Sequence, residues 1–130
     1  MLLDDIRQHL VSGGVSSALI FKGALPDTPD RCVGIIEAPG SPPDWTMTRT
    51  APNFERAQVQ VLTRDAKGEY EAARALADGV FRIMAAVQQT TINAVRYLKM
   101  EAVQSPFSIG PDDNERPMLS CNYMVWKDLS

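Results

Sequence analysis

The sequence predicts a small α+β domain, with a mostly antiparallel β-sheet of about five strands and two helices packed on one face. Apolar residues recur at helical spacing in two segments and alternate with polar residues in several others. The predicted order is helix, strand, strand, strand, helix, strand, strand. The chain has 130 residues, of which 45% are hydrophobic, enough for one ordinary core. We therefore expect residues 1–130 to form a single domain.

The first third of the chain predicts one helix and two strands. Residues 2–12 carry apolar side chains three and four positions apart and two acidic residues in the first turn, which is typical of an amphipathic helix. Gly13 and Gly14 end this helix. Strands are predicted over residues 17–23 and 31–38, separated by a turn with two prolines.

A long loop is predicted over residues 39–53, which contain four prolines and one glycine and favour no regular element. Loops of this length inside a compact domain tend to be functional or disordered. Tryptophan is a frequent anchor of protein interfaces. We expect Trp45, Met47 and Arg49 of this loop, together with Phe54 just after it, to contact a neighbouring subunit or another assembly partner.

The remaining elements follow from periodicity. Residues 54–64 alternate as a half-buried strand does, and residues 69–88 form the strongest predicted helix. A long hairpin is predicted from arms at 95–104 and 118–127, joined by a loop at 105–117. In its first arm, Leu98, Met100 and Ala102 are predicted to face away from Tyr97, Lys99 and Glu101.

Two strand faces suggest association with other chains. Gln58, Gln60 and Arg64 are predicted to line one side of a strand whose other side is buried, where they would be ordinary surface residues or line a subunit seam or channel. The last strand carries apolar residues on both faces, with Met124 and Trp126 opposite Tyr123 and Val125. A monomer would leave one set exposed unless a helix covers it.

No pattern in the sequence indicates catalysis or a cofactor. Glycine-rich phosphate-binding motifs are absent, and His9 is the only histidine, on a predicted surface helix. Cys32 and Cys121 match no metal or redox spacing and are expected to be core thiols. The acidic residues Asp112, Asp113 and Glu115 predict a solvated turn rather than a calcium loop. We expect neither an enzyme nor a metal or cofactor site.

Charge and hydropathy limit the location and the partners. The formal net charge of −3 disfavours nonspecific binding of nucleic acid, which usually needs a basic protein. No apolar run approaches the roughly 20 residues that span a bilayer. The acidic start of the chain does not resemble a signal peptide, so we expect a cytoplasmic origin and no membrane partner.

Several short motifs, in this order, resemble phage minor capsid proteins of the tail terminator type. They cover nearly the whole chain: Leu25-Pro26-Asp27-x-Pro29-Asp30, Val33-x-Ile35-x-Glu37-x-Pro39-Gly40, Pro52-x-Phe54, Val59-Gln60-Val61-x-x-Arg64, the helix with Ala72, Ala73 and Leu76, Ser105-Pro106-Phe107-x-Ile109-Gly110-x-Asp112, and Arg116-Pro117. Each motif alone is weak, and their order carries the resemblance.

The resemblance implies a structural virion protein without catalytic residues. Such proteins form a ring, expected to be hexameric, that caps the tail tube of a long-tailed phage, stops its polymerisation and joins it to the head or neck. The implied partners are copies of the chain itself, the tail tube protein and a neck protein, with genomic DNA passing through the lumen without specific binding. The implied location is the tail–neck junction of a virion assembled in the host cytoplasm.

Other interpretations stay open. The chain could be a neck or tail-completion protein, which belongs to the same structural class, a small ligand-binding domain or enzyme, or a nucleic-acid module. Within the tail terminator interpretation, we expect a second docking loop built from Phe107, Asp112, Asp113 and Arg116.

Overall fold

The computed structural model describes residues 2–38, 44–45 and 52–128. Helix α1 spans Leu2–Ser12 and helix α2 spans Tyr70–Ala85, and a short 3₁₀ turn covers Ser17–Leu19. The strands are β1 (Ile20–Lys22), β2 (Cys32–Ala38), β3 (Asp44–Trp45), β4 (Pro52–Arg64), β5 (Gln88–Ile92), β6 (Val95–Ala102), β7 (Phe107–Pro111) and β8 (Pro117–Asp128).

These strands form one sheet in the order β1-β2-β4-β8-β6-β5, with β3 added to β4 and β7 added to β8. The long strands β4 and β8 pair antiparallel from Phe54 opposite Asp128 to Arg64 opposite Met118, and they form the centre of the sheet. Strands β1 and β2 pair in parallel. The α+β class with two helices is confirmed, but the sheet is mixed and has more than the predicted five strands.

Both helices contribute to the core cluster that covers one face of this sheet, which we call the inner face. Leu3, Ile6 and Leu10 of α1 are buried, as their spacing predicts. The largest fully buried side chains come from both helices and from the central strands, and include Tyr97, Tyr123, Ile6, Leu10, Ile35, Met84 and Leu119. The opposite face of the sheet, which we call the outer face, carries the alternate residues of β2, β4 and β8.

Short elements were the main errors of the prediction. The strand predicted over 17–23 is a 3₁₀ turn followed by three residues of β1. Strand β3 lies inside the segment predicted to have no regular element. Strands β5 and β7 were missed, because β5 is short and polar and β7 contains Gly110 and Pro111, which disfavour strands.

A bulge in β6 changes which side chains face the core. The pairing with β8 shifts register between Tyr97 and Lys99, so Tyr97 lies opposite Lys127 while Lys99 lies opposite Trp126. The extra residue moves Tyr97 to the inner face, where it is fully buried. The prediction that placed Tyr97 beside Lys99 and Glu101 was therefore wrong, because strict alternation fails at a bulge.

Candidate functional site

The centre of the outer face carries a half-buried mixture of polar and apolar side chains. Gln58 of β4 lies opposite Met124 of β8, and Gln60 lies opposite Asn122. The Nε2 atom of Gln60 donates a hydrogen bond of 3.1 Å to Ser120 Oγ. These side chains are only half-buried in the part of the single chain that the structure describes.

Trp126 extends this face toward β6. Lys99 Nζ lies 4.3 Å from the centre of the Trp126 ring, a cation–π contact, and it also lies 3.3 Å from Glu101 Oε2. Trp126 and Met124 are half-buried, whereas Tyr123 and Val125 on the inner face are fully buried. The two faces of β8 therefore differ as the sequence predicts, and the outer set remains partly exposed in the single chain.

Arg64 belongs to the interior of the subunit rather than to this open face. Its side chain is only 4% exposed. The Nε atom donates to the Asp30 carbonyl at 3.0 Å, and Nη2 donates to the carbonyls of Pro26 at 2.6 Å and Pro29 at 2.9 Å. Arg64 was predicted to line a seam or lumen together with Gln58 and Gln60, but its donors hold the loop over residues 26–30.

Arg116 fastens the same loop from the other side. Its Nε donates to Asp112 Oδ2 at 2.8 Å, and its Nη1 donates to the Asp27 carbonyl at 2.6 Å and to Asp30 Oδ1 at 3.1 Å. A third ion pair joins Nη2 to Asp27 Oδ1 at 3.2 Å. The Arg116 side chain is 8% exposed. Arginine is suited to this position because its planar donors reach several acceptors at once.

The electrostatics of Asp112 and Arg116 support a persistent ion pair. Partial burial raises the pKa of the Asp112 carboxyl, but hydrogen bonds from the backbone N–H groups of Arg116 and Asn114 and from the Arg116 guanidinium outweigh this effect, so the pKa is lowered overall. Desolvation lowers the pKa of Arg116, and its contacts with Asp30 and Asp112 raise it above the ordinary value. Both groups are charged at neutral pH.

This Arg64–Arg116 cluster brings together residues from four of the motifs singled out in the sequence. Asp27 and Asp30 come from the first motif, Arg64 ends β4, and Asp112 and Arg116 flank the turn before β8. Sequence reasoning placed Asp112 and Arg116 in a docking loop and did not foresee that they bind Asp27 and Asp30. The cluster fixes the loop at one end of the sheet.

Close packing supports the same loop. A Cβ atom on Gly34 would lie 2.9 Å from Leu25 Cδ2, so glycine lets the Leu25 side chain pack directly on strand β2. The loop thereby covers the end of the outer face near Gly34 and Arg64. The open part of this face begins at Gln60 and Ile36, which are paired across β2 and β4.

The four residues predicted for a second docking loop separate into two groups. Asp112 and Arg116 point into the Arg64–Arg116 cluster, whereas Asp113 is exposed and Phe107 is 42% exposed on β7. Ile109, two residues further along, is 46% exposed. This exposed pair on β7 makes Phe107, with Ile109, a candidate for contact with another chain.

The residues in and next to the long loop at 39–53 that were predicted to contact another chain lie largely outside the described part of the chain. Met47 and Arg49 fall outside the described residues. For Trp45 and Phe54 the backbone is described: Trp45 lies in β3 opposite Pro52, and Phe54 lies in β4 opposite Asp44 and Asp128. Their proposed contacts stay predictions.

A buried polar group near α1 was missed by sequence reasoning. The Tyr97 hydroxyl donates to Asp5 Oδ2, and Asn93 Nδ2 donates to Asp5 Oδ1 at 2.9 Å. Burial, together with the hydrogen bond to Asp5, raises the pKa of Tyr97. Asp5 is 3% exposed, although its position in the first helical turn indicated only a favourable interaction with the helix dipole. This group joins α1 to the β5–β6 hairpin.

The described residues offer no further chemistry that the sequence suggested. Cys32 and Cys121 are buried free thiols, and burial raises the pKa of both. His9 lies half-buried on α1. Within residues 2–38, 44–45 and 52–128, no three histidine, cysteine or acidic side chains group as a metal site would require. Over the same ranges, no helix has the length and hydrophobicity needed to cross a bilayer.

Comparison with known proteins identifies a family and structurally similar chains. The profile of a family described as bacteriophage tail terminator protein matches residues 9–128. A chain in the solved virion of a native gene transfer agent (GTA) particle has a similar fold, with a TM-score of 0.67 and 10% sequence identity, over 98% of this chain and 94% of that chain. No curated protein sequence matches this chain significantly. At 10% identity the structural likeness concerns the fold alone.

Proposed function

Because the chain belongs to the bacteriophage tail terminator family and is thus a structural protein of the phage tail, we propose that it forms a ring that caps the tail tube. The ring, expected to be a hexamer, stops polymerisation of the tube and joins it to the head or neck. Its location is the tail–neck junction of a virion that assembles in the host cytoplasm. No catalytic step is part of this role.

One observation carries the proposal beyond family membership. The two helices cover only the inner face of the sheet, and the outer face presents Met124, Trp126 and Ile36 half-buried beside Gln58 and Gln60. A face of this kind is buried further when subunits associate, since removal of apolar area from water stabilises an interface. Ring closure needs one chain to carry two different complementary surfaces.

Particular side chains take part in this assembly. Gln58 and Gln60 contribute to a subunit seam or to the lumen. Phe107 and Asp113 belong to a second docking surface, toward a neighbouring subunit or the neck protein. The loop that contains Trp45, Met47 and Arg49 contacts a ring neighbour or the tube. The net charge of −3 suits a conduit in which DNA slides without specific binding.

A reconstitution experiment tests this function. The purified chain is added to the polymerising tube protein of the same phage, and the tubes are measured by electron microscopy. We expect a ring at one end of each tube and a halt in elongation that depends on the amount added. If elongation continues and tube ends stay bare, while the chain remains a monomer at all concentrations in sedimentation, the proposal fails. Rings that bind only the head side would identify a neck protein instead.

A further inference from the structure

An open groove lies where the C-terminal end of α2 meets strand β6. Its volume is about 840 Å³, and its apolar lining includes Phe81, Ala86, Val87, Leu98 and Trp126. We call it the α2–β6 groove.

The groove follows a free edge of the sheet. Strand β5 pairs with β6 only as far as Gln88 opposite Lys99, and among the described strands none continues along this edge of Met100–Ala102. An unpaired strand edge offers backbone donors and acceptors to an added strand, and neighbouring apolar pockets receive its side chains. The α2–β6 groove thus has the two features that a strand from another chain requires.

Strand β7 has the matching properties. Phe107 is 42% exposed and Ile109 is 46% exposed, and among the described strands β7 pairs only with β8. Arg74 Nη1 of α2 donates to the Pro106 carbonyl at 2.8 Å, which fixes the start of β7 against the helix. We call Phe107 and Ile109 the β7 patch. It is an apolar, structurally supported strand edge rather than a loose loop.

The groove and the patch lie at opposite ends of α2. Tyr70, the first residue of the helix, shares a small cavity with Ser108 and Gly110 of β7, whereas Ala85 and Ala86 at the other end line the groove. A helix of 16 residues is about 24 Å long. Two unlike surfaces this far apart fit a head-to-tail contact, in which each copy gives its patch to one neighbour and its groove to the other.

Lys99 and Glu101 line the groove and pair with each other, and one further charge beside the groove differs in sign from one beside the patch. Exposed Arg82 precedes Ala86 by one helical turn, so it lies next to the groove. Exposed Asp113 follows β7 by two residues. These charges favour a contact in which Asp113 of the inserted β7 lies toward Arg82 of the other copy. They disfavour a contact between two grooves or between two patches, which would bring equal charges together.

We propose that the α2–β6 groove binds the β7 patch of a second copy of this chain, and that this contact joins adjacent subunits. The inference rests on the proposed ring and names the surfaces that build it.

Complementary variants test the contact. The patch variant carries Phe107→Thr and Ile109→Thr, which remove the apolar side chains and keep strand propensity. The groove variant carries Ala86→Arg, a large cation at an exposed helix end where the helix dipole favours it. Ala18→Arg, at an exposed position beside the opposite sheet edge, is the matched control. Sedimentation and native mass spectrometry measure assembly, and thermal unfolding verifies the fold of every variant.

We expect the parent chain and the Ala18→Arg control to assemble alike, and the patch and groove variants each to need at least ten-fold higher concentration. A 1:1 mixture of the two variants should yield dimers and nothing larger, because only one intact patch and one intact groove remain in each pair. If Ala86→Arg does not fold, Ala85→Arg blocks the same groove from an exposed position. The proposed contact would be wrong if the patch and groove variants assembled like the parent, or if their mixture stayed monomeric. Neither result would contradict the proposal that the chain forms a ring. A parent chain that stays monomeric at all concentrations and also leaves tail-tube elongation unchanged would contradict the proposed function itself.

Discussion

Arg64 and Arg116 hold one loop through different acceptors. Arg64 donates to backbone carbonyls of Pro26, Asp27, Pro29 and Asp30, and Arg116 donates mainly to carboxylates. A buried carbonyl that loses its donor is costly, since folding has already removed its water. The identity of the side chain at residue 64 therefore matters more than its charge.

Replacing Arg64 with Lys should lower the free energy of unfolding by about 2–3 kcal/mol, because one ammonium cannot reach all the carbonyls that the guanidinium serves. Urea denaturation measures the loss. Arg82→Lys on the exposed face of α2 is the matched control and should change stability by less than about 0.5 kcal/mol. Equal effects of the two substitutions would contradict the role of Arg64.

The lowered pKa of Asp112 predicts a pH dependence. A carboxyl whose pKa is lower in the folded chain than the ordinary 3.8 adds stability above that pH and loses it as the pH falls further. The stability difference between the parent and Asp112→Asn should therefore be constant from pH 8 to pH 6 and shrink below about pH 4. Urea titrations at pH 7, 5, 4 and 3 measure it. A difference at pH 3 equal to that at pH 7 would exclude the linkage.

Among the elements, α2 packs against several different parts of the molecule. Its buried face, with Ala73, Leu76, Ala77, Val80 and Met84, meets the sheet, and its ends meet β7 and the α2–β6 groove. Small residues let it approach β8 and β6 closely. Gly79 in its middle has open space where a Cβ would stand, whereas a Cβ on Gly13 after α1 would lie 2.9 Å from Ile83 side-chain atoms of α2.

The same substitution at these two glycines should have opposite effects. Gly79→Ala should raise the free energy of unfolding by about 1 kcal/mol, because glycine costs backbone entropy in a helix and nothing obstructs the new methyl group. Gly13→Ala should lower stability by about 1–3 kcal/mol, because the methyl group overlaps Ile83. Thermal and urea unfolding of the pair measure both signs. A destabilised Gly79→Ala would show that α2 has no space there.

At the scale of the whole molecule, the two faces of the sheet have different roles. The inner face forms the core with both helices, and the outer face keeps Gln58 opposite Met124 at half-burial. This division lets a stable subunit retain surface for association. Whether Gln58 lies in a seam or in a lumen changes what a charge at this position would do.

Gln58→Glu adds one negative charge with almost no change in size. In a subunit seam the new carboxylate would be desolvated without gaining an ion-pair partner, which is unfavourable. We therefore expect the concentration needed for assembly to rise at least ten-fold. Sedimentation of the parent and the variant measures this rise, and unfolding of the isolated subunit should differ by less than about 1 kcal/mol. Unchanged assembly would place Gln58 in the lumen or on a free surface.

The sequence alone determined the long elements and the faces of the central strands. Helices α1 and α2 and strands β4 and β8 have a strong periodic pattern, and β2 has several apolar residues; such local signals do not depend on distant residues. The spacing of Leu3, Ile6 and Leu10 was sufficient for the buried side of α1. The ordered motifs also identified the family that the profile match establishes.

Only the tertiary structure decided the rest. Strands β5 and β7 exist because β6 and β8 pair with them, and the inward position of Tyr97 follows from a bulge that register with β8 creates. Arg64 and Arg116 hold the loop over residues 26–30 because Asp27 and Asp30, more than 30 positions away in the sequence, fold against them. Pairing, register and ion-pair partners are set by contacts between distant segments, and a local pattern carries no information about which segments meet.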